Sequence, residues 1–177
     1  MSPRTDREPG LTHVSIIAED VDESTDFYED VIGCRPVPTP AFGKQEDFDA
    51  EENIGFQMLR IGDHQLHLWN DPAREIEVTR FAHFGIHVDE FEEVYRRAEE
   101  QDAFAAIGVE SAPPQVFDFN GTAQMYLSDP TGNLVEIDYP DIDVLDRSVF
   151  DDVVSRETTG PDLGVYTDAL LESISEN

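Results

Sequence analysis

Three histidines and one glutamate stand at matching points in the two halves of this chain, and together they make the donor set of a divalent-metal site. Leu11-Thr12-His13-Val14-Ser15-Ile16 is echoed 70 residues later by Phe81-Ala82-His83-Phe84-Gly85-Ile86. Gln65-Leu66-His67-Leu68 is answered 69 residues on by Leu134-Val135-Glu136-Ile137. Each copy runs from a histidine to a second donor, His13 to His67 over 54 residues and His83 to Glu136 over 53. Neutral imidazoles with a carboxylate, and positions left open, suit Fe(II), Mn(II) or Zn(II). A single histidine in a strand is more often structural or solvated. Recurrence at repeat-related points is what makes these four residues a candidate metal centre.

The elements around them must aim these side chains alike. Leu11 to Ala18 alternates as a strand, with His13, Ser15 and Ile17 on one face. Asp20 or Asp22 caps a helix carrying Phe27, Tyr28 and Val31, and Gly33 supplies its stop. Residues 36–55 read as a long loop or weak strand. A hairpin follows, Ile54–Ile61 and His64–Trp69 about a Gly62-Asp63 turn, and Asp71-Pro72 closes the half. The second half repeats strand (81–88), helix (about 90–102) and further strands to Tyr139, with Asp129-Pro130-Thr131-Gly132-Asn133 turning between the last two. The expected organisation is a loose arm (1–10), a first module (11–72), a linker (73–80), a second module (81–140) and an acidic extension (141–177). The extension carries a helical pattern at Tyr166–Ile174 and is free to cap the site, meet a second copy or stay in solvent.

Alternation puts His67 with Gln65 and Trp69, His83 with Gly85 and His87, and Glu136 with Leu134 and Asp138. If the halves curl into paired half-barrels, the four donors converge on one cup. His87 lies about 6–7 Å beyond His83 along its strand and reads as a support for the metal residues or as a core histidine. His64, after the hairpin turn, reads as solvated, and Cys34 as core filler. Tyr126, ten residues before Glu136, either donates a hydrogen bond into the cup or packs the barrel; Gln124 and Ser128 share its face. A substrate would lie near Trp69 and the Phe117–Phe119 strand.

Composition narrows the role. Forty acids against 11 bases give a net charge of -29, spread along the chain, with Lys44 the only lysine. Such a surface repels phosphate backbones and anionic lipid, so nucleic-acid and membrane-surface roles are not expected. Adaptation to high salt explains dispersed acidity better than a basic partner, which would call for a clustered patch. A lone cysteine forms no internal disulfide, and neither a leader nor an apolar run of about 20 residues is evident. A soluble cytoplasmic protein is the expectation.

These motifs carry a family likeness. Leu11–Ile16 with Asp26-Phe27-Tyr28 and Val31-Ile32-Gly33, then Ala82–Ile86, then Met125-Tyr126-Leu127-Ser128-Asp129-Pro130-Thr131-Gly132-Asn133-Leu134-Val135-Glu136 resemble the vicinal oxygen chelate superfamily of glyoxalases, bleomycin-resistance proteins and extradiol dioxygenases, over about residues 11–140. The resemblance implies an α+β fold of paired βαβββ modules, a curved mixed sheet forming a half-barrel cup around a metal site. It also implies a small substrate chelated through vicinal oxygens, and a homodimer.

Members differ in chemistry. Extradiol ring-cleaving dioxygenases hold Fe(II) on two histidines and a glutamate, here His13, His83 and Glu136. They place a tyrosine where Tyr126 stands and an acid–base histidine close to His67. A further upstream histidine of theirs is replaced by Phe117-Asp118-Phe119, and many duplicate the module pair, as this chain does not. Glyoxalase I would ligate Zn, Ni or Mn through His13, His67, His83 and Glu136, but it usually has glutamate where His67 stands, the base for proton transfer beside the metal. Fosfomycin-resistance enzymes fit worst: a phosphonate needs cationic clamps, and no Lys or Arg lies between Arg97 and Arg147. The expected function is therefore an Fe(II) extradiol-type dioxygenase using His67 and Tyr126. A glyoxalase I-type isomerase or lyase is the alternative, and a non-catalytic drug-binding protein the third reading.

Overall fold

Strand β1 (His13–Ile17) leaves His13 and Ser15 exposed while Val14 and Ile16 pack toward the interior, the alternation expected of a half-buried strand. A computed structural model of the chain describes residues 10–39, 55–70, 82–105 and 116–155. After β1, Asp20 caps helix α1 (Val21–Phe27), its carboxylate accepting from the amides of Asp22 and Glu23 at 2.9 and 3.0 Å. The helix runs on as a π-helical turn, Tyr28–Ile32, that buries Tyr28, Val31 and Ile32. Gly33 ends it at a φ of +92°, a left-handed value glycine adopts without steric cost.

Strands β2 (Arg35–Val37), β3 (Phe56–Ile61) and β4 (His64–Trp69) complete a four-stranded sheet in the order β1-β4-β3-β2, with β1 and β4 parallel. The second half repeats the plan. Strand β5 (His83–His87), helix α2 (Phe91–Glu100), β6 (Val116–Phe119), β7 (Thr122–Ser128) and β8 (Leu134–Tyr139) again pair the first and last strands in parallel. The paired βαβββ modules implied by the sequence are therefore present, within an α+β fold of two open mixed sheets.

Both sheets turn their apolar backs to one core. Leu59, Leu66 and Leu68 come from the first sheet, Ile86, Met125, Leu127, Val135 and Ile137 from the second, and Tyr28, Val31, Val94 and Tyr95 from the helical segments between. Burying a side chain of this size contributes roughly 1.5–3 kcal/mol, so this shared core is what fixes the relation of the two sheets. Polar ties from the Asp129–Asn133 turn reinforce it. Tyr28 donates its hydroxyl proton to Asp129 at 3.1 Å, the Asn133 amide donates to the Ile17 carbonyl at 2.9 Å, and the Glu19 backbone N–H donates to the Thr131 hydroxyl at 2.9 Å. A turn that reads in sequence as a strand separator thus also joins the second module to the end of β1. Burial pushes the Asp129 carboxyl above its ordinary range, opposed by its hydrogen bonds from Asn133 and Tyr28.

Residues 141–155 extend the second sheet. Two 3-10 turns, Ile142–Val144 and Arg147–Val149, bring Ile142, Leu145 and Phe150 into buried positions, with the Phe150 ring 5.1 Å from Tyr95 and 5.8 Å from Phe91. Strand β9 (Val153–Ser155) then pairs in parallel with β6, giving the five-stranded order β5-β8-β7-β6-β9. The helical pattern at Tyr166–Ile174, the linker 73–80 and residues 1–9 of the arm lie outside the described residues. No helix among the described residues is long and apolar enough to cross a membrane.

Candidate metal centre

Strand pairing lays the candidate residues out in rows. In the first sheet, His13, Gln65, Arg60 and Arg35 align across the four strands, and Ser15, His67, Met58 and Val37 form the next row. In the second sheet, His83 aligns with Leu134 and Ser128; Gly85, Glu136 and Tyr126 follow; then His87, Asp138, Gln124 and Phe117. The repeat is therefore spatial as well as sequential: His67 beside Ser15 corresponds to Glu136 beside Gly85. All four donors lie on the faces opposite the shared core, where alternate residues must point once Leu66, Leu68, Val135 and Ile137 face inward.

The first pair is two stacked imidazoles. The His13 and His67 rings lie 4.4 Å apart and within 10° of parallel. His13 Nδ1 is 3.0 Å from the Thr12 hydroxyl, which orients the ring and leaves Nε2 for a ligand. His67 Nε2 lies 2.9 Å from the Gln65 amide oxygen; with that partner Nε2 carries the proton and Nδ1 is the basic nitrogen. Burial, and then the neighbouring His13, holds the His67 pKa below the ordinary imidazole value, so His67 is neutral at neutral pH. Imidazole lone pairs lie in the ring plane, so two rings stacked in parallel planes do not converge on one ion. Phe56 sits edge-on to His67 at 5.4 Å and against Trp69 at 4.0 Å, giving this face an aromatic wall.

The second pair sets an imidazole beside a carboxylate. His83 Nε2 lies 3.4 Å from Glu136 Oε2. Two donors each bound at roughly 2.0–2.2 Å to one ion stand about 3.0–3.5 Å apart, so the spacing and the chemistry of this pair fit a divalent ion. Tyr126 meets His83 edge-on at 5.8 Å and Phe117 at 5.9 Å, which sets its ring beside both metal candidates of this sheet. Gln124 donates to Glu136 Oε1 at 3.2 Å and to Asp138 Oδ1 at 3.1 Å, and all three side chains are buried. In the sequence Gln124 reads only as cavity lining and Asp138 only as a residue sharing the Glu136 face. The signal is the i, i+2 placement of Glu136 and Asp138 beside a strand bearing Gly85, where a side chain would crowd the carboxylates.

The structure brings the four donors together two by two. Among the described residues, no three His, Cys, Asp or Glu side chains are grouped closely enough to hold one ion. One chain thus carries His13 with His67 on one sheet, and His83 with Glu136 on the other. Trp69 and Phe117 are likewise divided between the sheets.

The remaining candidates fall as follows. His64 is exposed at the start of β4. Cys34 is buried, and burial pushes its thiol up to about 12, so it is no nucleophile at neutral pH. His87 lies in the Asp138 row, its Nε2 3.7 Å from Asp89 and its ring tilted over Tyr139 at 6.0 Å. A cationic element missed in the sequence also appears. Arg35 and Arg60 face each other across β2 and β3 in the row of His13, with Arg60 tied to the Gly62 carbonyl at 2.7 Å. Both lie in the first module, outside the cation-free interval between Arg97 and Arg147.

The sheet order, the repeated parallel pairing and the donor rows describe a protein of the vicinal oxygen chelate class. The sequence profile of the Glyoxalase/Bleomycin resistance protein/Dioxygenase superfamily matches residues 10–137, and the chain belongs to that superfamily. No curated protein sequence matches the chain. Among solved structures, it is similar to a protein from Bacillus anthracis described as of the glyoxalase family, with 21% identity over 76% of this chain and 97% of that one, and a TM-score of 0.52. It is similar in the same way to the fosfomycin resistance protein FosX of Listeria monocytogenes, with 14% identity over 75% and 91% and a TM-score of 0.53. An integron cassette protein from V. cholerae aligns at 21% identity over 76% and 97%, with a TM-score of 0.50. At these identities the likeness is one of fold.

Proposed function

We propose that this chain is a divalent-metal-dependent enzyme acting on a small substrate chelated through vicinal oxygens, and that its best reading is an extradiol-type ring-cleaving dioxygenase. The observation that carries this reading is the geometry of the donors. His83 and Glu136 are spaced as ligands of one ion, whereas His67 lies in a plane parallel to His13 and so does not share an ion with it. The donor set is then His13, His83 and Glu136, two histidines and one carboxylate with open positions, the set used for Fe(II) and oxygen chemistry. An ion held there would act as a Lewis acid toward the oxygens of the substrate.

The chain's own residues do the rest. His67, neutral and with Nδ1 basic, accepts a proton from the substrate hydroxyl. Tyr126 steadies a substrate oxygen from the Glu136 side, and the Phe56–Trp69 wall excludes water from an aromatic ring. Because the donor pairs lie on sheets whose backs share one core, the site is completed by a second copy: the His13 face of one chain meets the His83–Glu136 face of its partner, and the working unit is a homodimer. A glyoxalase I-type isomerase using Zn, Ni or Mn is the second reading: His67 and Glu136 are equivalent in the repeat, and the His67 ring would have to turn out of its stack on His13 to serve as a fourth ligand. The dispersed charge of -29 fits a cytoplasm of high salt.

Anaerobic purification in high salt followed by elemental analysis separates these readings. The dioxygenase predicts about one iron per chain and oxygen consumption on adding catechols. Zinc, nickel or manganese without oxygen uptake would replace it with the isomerase, and a chain that stays metal-free after reconstitution would leave only a binding protein.

A further inference from the structure

We propose that Gln124 is a positioning residue that holds Glu136 in its ligand orientation and thereby sets metal affinity; the inference rests on the reading of Glu136 as a ligand. Glu136 and Asp138 project from the same face of β8, and Gln124 stands opposite Asp138 on β7. The Gln124 amide nitrogen reaches both carboxylates, Glu136 Oε1 at 3.2 Å and Asp138 Oδ1 at 3.1 Å. The NH2 end of the amide faces the carboxyl oxygens, and its two protons are divided between the two side chains. Glu136 Oε1 is occupied in this way, and Oε2 is the oxygen turned toward His83.

Three buried polar side chains in contact are stable only when their hydrogen bonds are made, and here the backbone is shaped to allow it. Gly85 stands beside Glu136 on β5. A Cβ at that position would lie 3.0 Å from Asp138 Oδ2 and 3.9 Å from Glu136 Oε1. The glycine therefore makes room for the carboxylates that Gln124 bridges. The equivalent place in the first module is Ser15, beside His67, whose amide partner Gln65 stands on the same strand as His67.

An unrestrained glutamate samples several staggered rotamers, few of which aim an oxygen at the His83 side. Fixing one beforehand removes that ordering cost from metal binding. Presenting a single oxygen also favours ions content with one carboxylate contact over calcium, which commonly takes both.

The test is chelator competition with Zn(II) and Mn(II) on the full chain in high salt, comparing wild type, Gln124→Met and Asp138→Asn. Gln124→Met keeps length and loses both donors; its affinity should fall by about 10–100-fold, the range for loss of a ligand's hydrogen-bond partner. Asp138→Asn keeps an oxygen acceptor for Gln124 and should stay within a few-fold of wild type. A crystal structure of metal-free Gln124→Met should show the Glu136 carboxylate turned away from His83. If Gln124→Met does not fold, Gln124→Asn, whose shorter arm cannot span both carboxylates, should show the same direction of loss. Wild-type affinity in a folded Gln124→Met overturns the proposal and leaves Gln124 a packing residue. A wild-type chain that binds neither ion removes the ligand reading of Glu136 instead; an unmoved Glu136 in the variant structure then overturns the orienting role as well.

Discussion

Glu136→Ala should strip the chain of metal while leaving it folded. Glu136 is the only carboxylate among the proposed ligands, and it is buried beside Asp138 with its Oε2 3.4 Å from His83. Losing a partner that merely supports a ligand costs about 10–100-fold in affinity, so losing the ligand itself should exceed that range and leave no stoichiometric metal after gel filtration. The fold should suffer little. The variant forfeits the hydrogen bond from Gln124, worth about 1 kcal/mol, together with the contact of Oε2 with His83, while the apolar core behind the sheet is untouched. A melting point within about 2–4 °C of the metal-free wild type is expected, the shift that 1 kcal/mol gives in a chain of this size. Full metal content in Glu136→Ala would mean the site has been assigned to the wrong residues.

Low salt should come close to unfolding the protein. With 40 acids against 11 bases, like charges repel over about 10 Å at 0.1 M ionic strength but over only about 3 Å at 1 M. Few counter-charges are built in: the described ion pairs are largely local, such as Arg60 with Asp63, Arg96 with Glu93 and Arg147 with Asp143, and exposed pairs contribute roughly 0–1 kcal/mol each. Folded domains are stable by only about 5–15 kcal/mol, so self-repulsion of this extent takes a large part of the margin. The melting temperature in 0.1 M KCl should fall at least about 10 °C below that in 2 M KCl. A melting temperature that does not move with salt would show that the acidity has another purpose.

Much of the fold could be read from local chemistry. The alternation of His13, Ser15 and Ile17, the Asp20 cap, the Gly33 stop and the Gly62-Asp63 hairpin are short-range signals, and each element formed where its signal stood. The 70-residue echo is matched in the strand register, where His67 and Glu136 stand beside equivalent positions, Ser15 and Gly85. What was hidden depends on contacts between distant residues. Sequence gives the face on which a side chain lies; it does not say which faces meet. Nothing in the chain announces that both sheets back onto one core, and so that the donors separate into two pairs. The Tyr28–Asp129 bond spans 101 residues, and β9 pairs beside β6 through a stretch with no strand-like alternation. Gln124 reads as lining because the two carboxylates it bonds arrive from the neighbouring strand.

The proposed metal centre joins His13 of one chain to His83 and Glu136 of another. His13→Ala and Glu136→Ala chains, co-expressed with different tags and purified as mixed dimers, test it directly. In a mixed dimer one of the two sites loses both residues and the other keeps them all. About one ion per mixed dimer is therefore expected, against little or none in either parent. Mixed dimers that form and yet hold no more metal than their parents would contradict a site shared between chains.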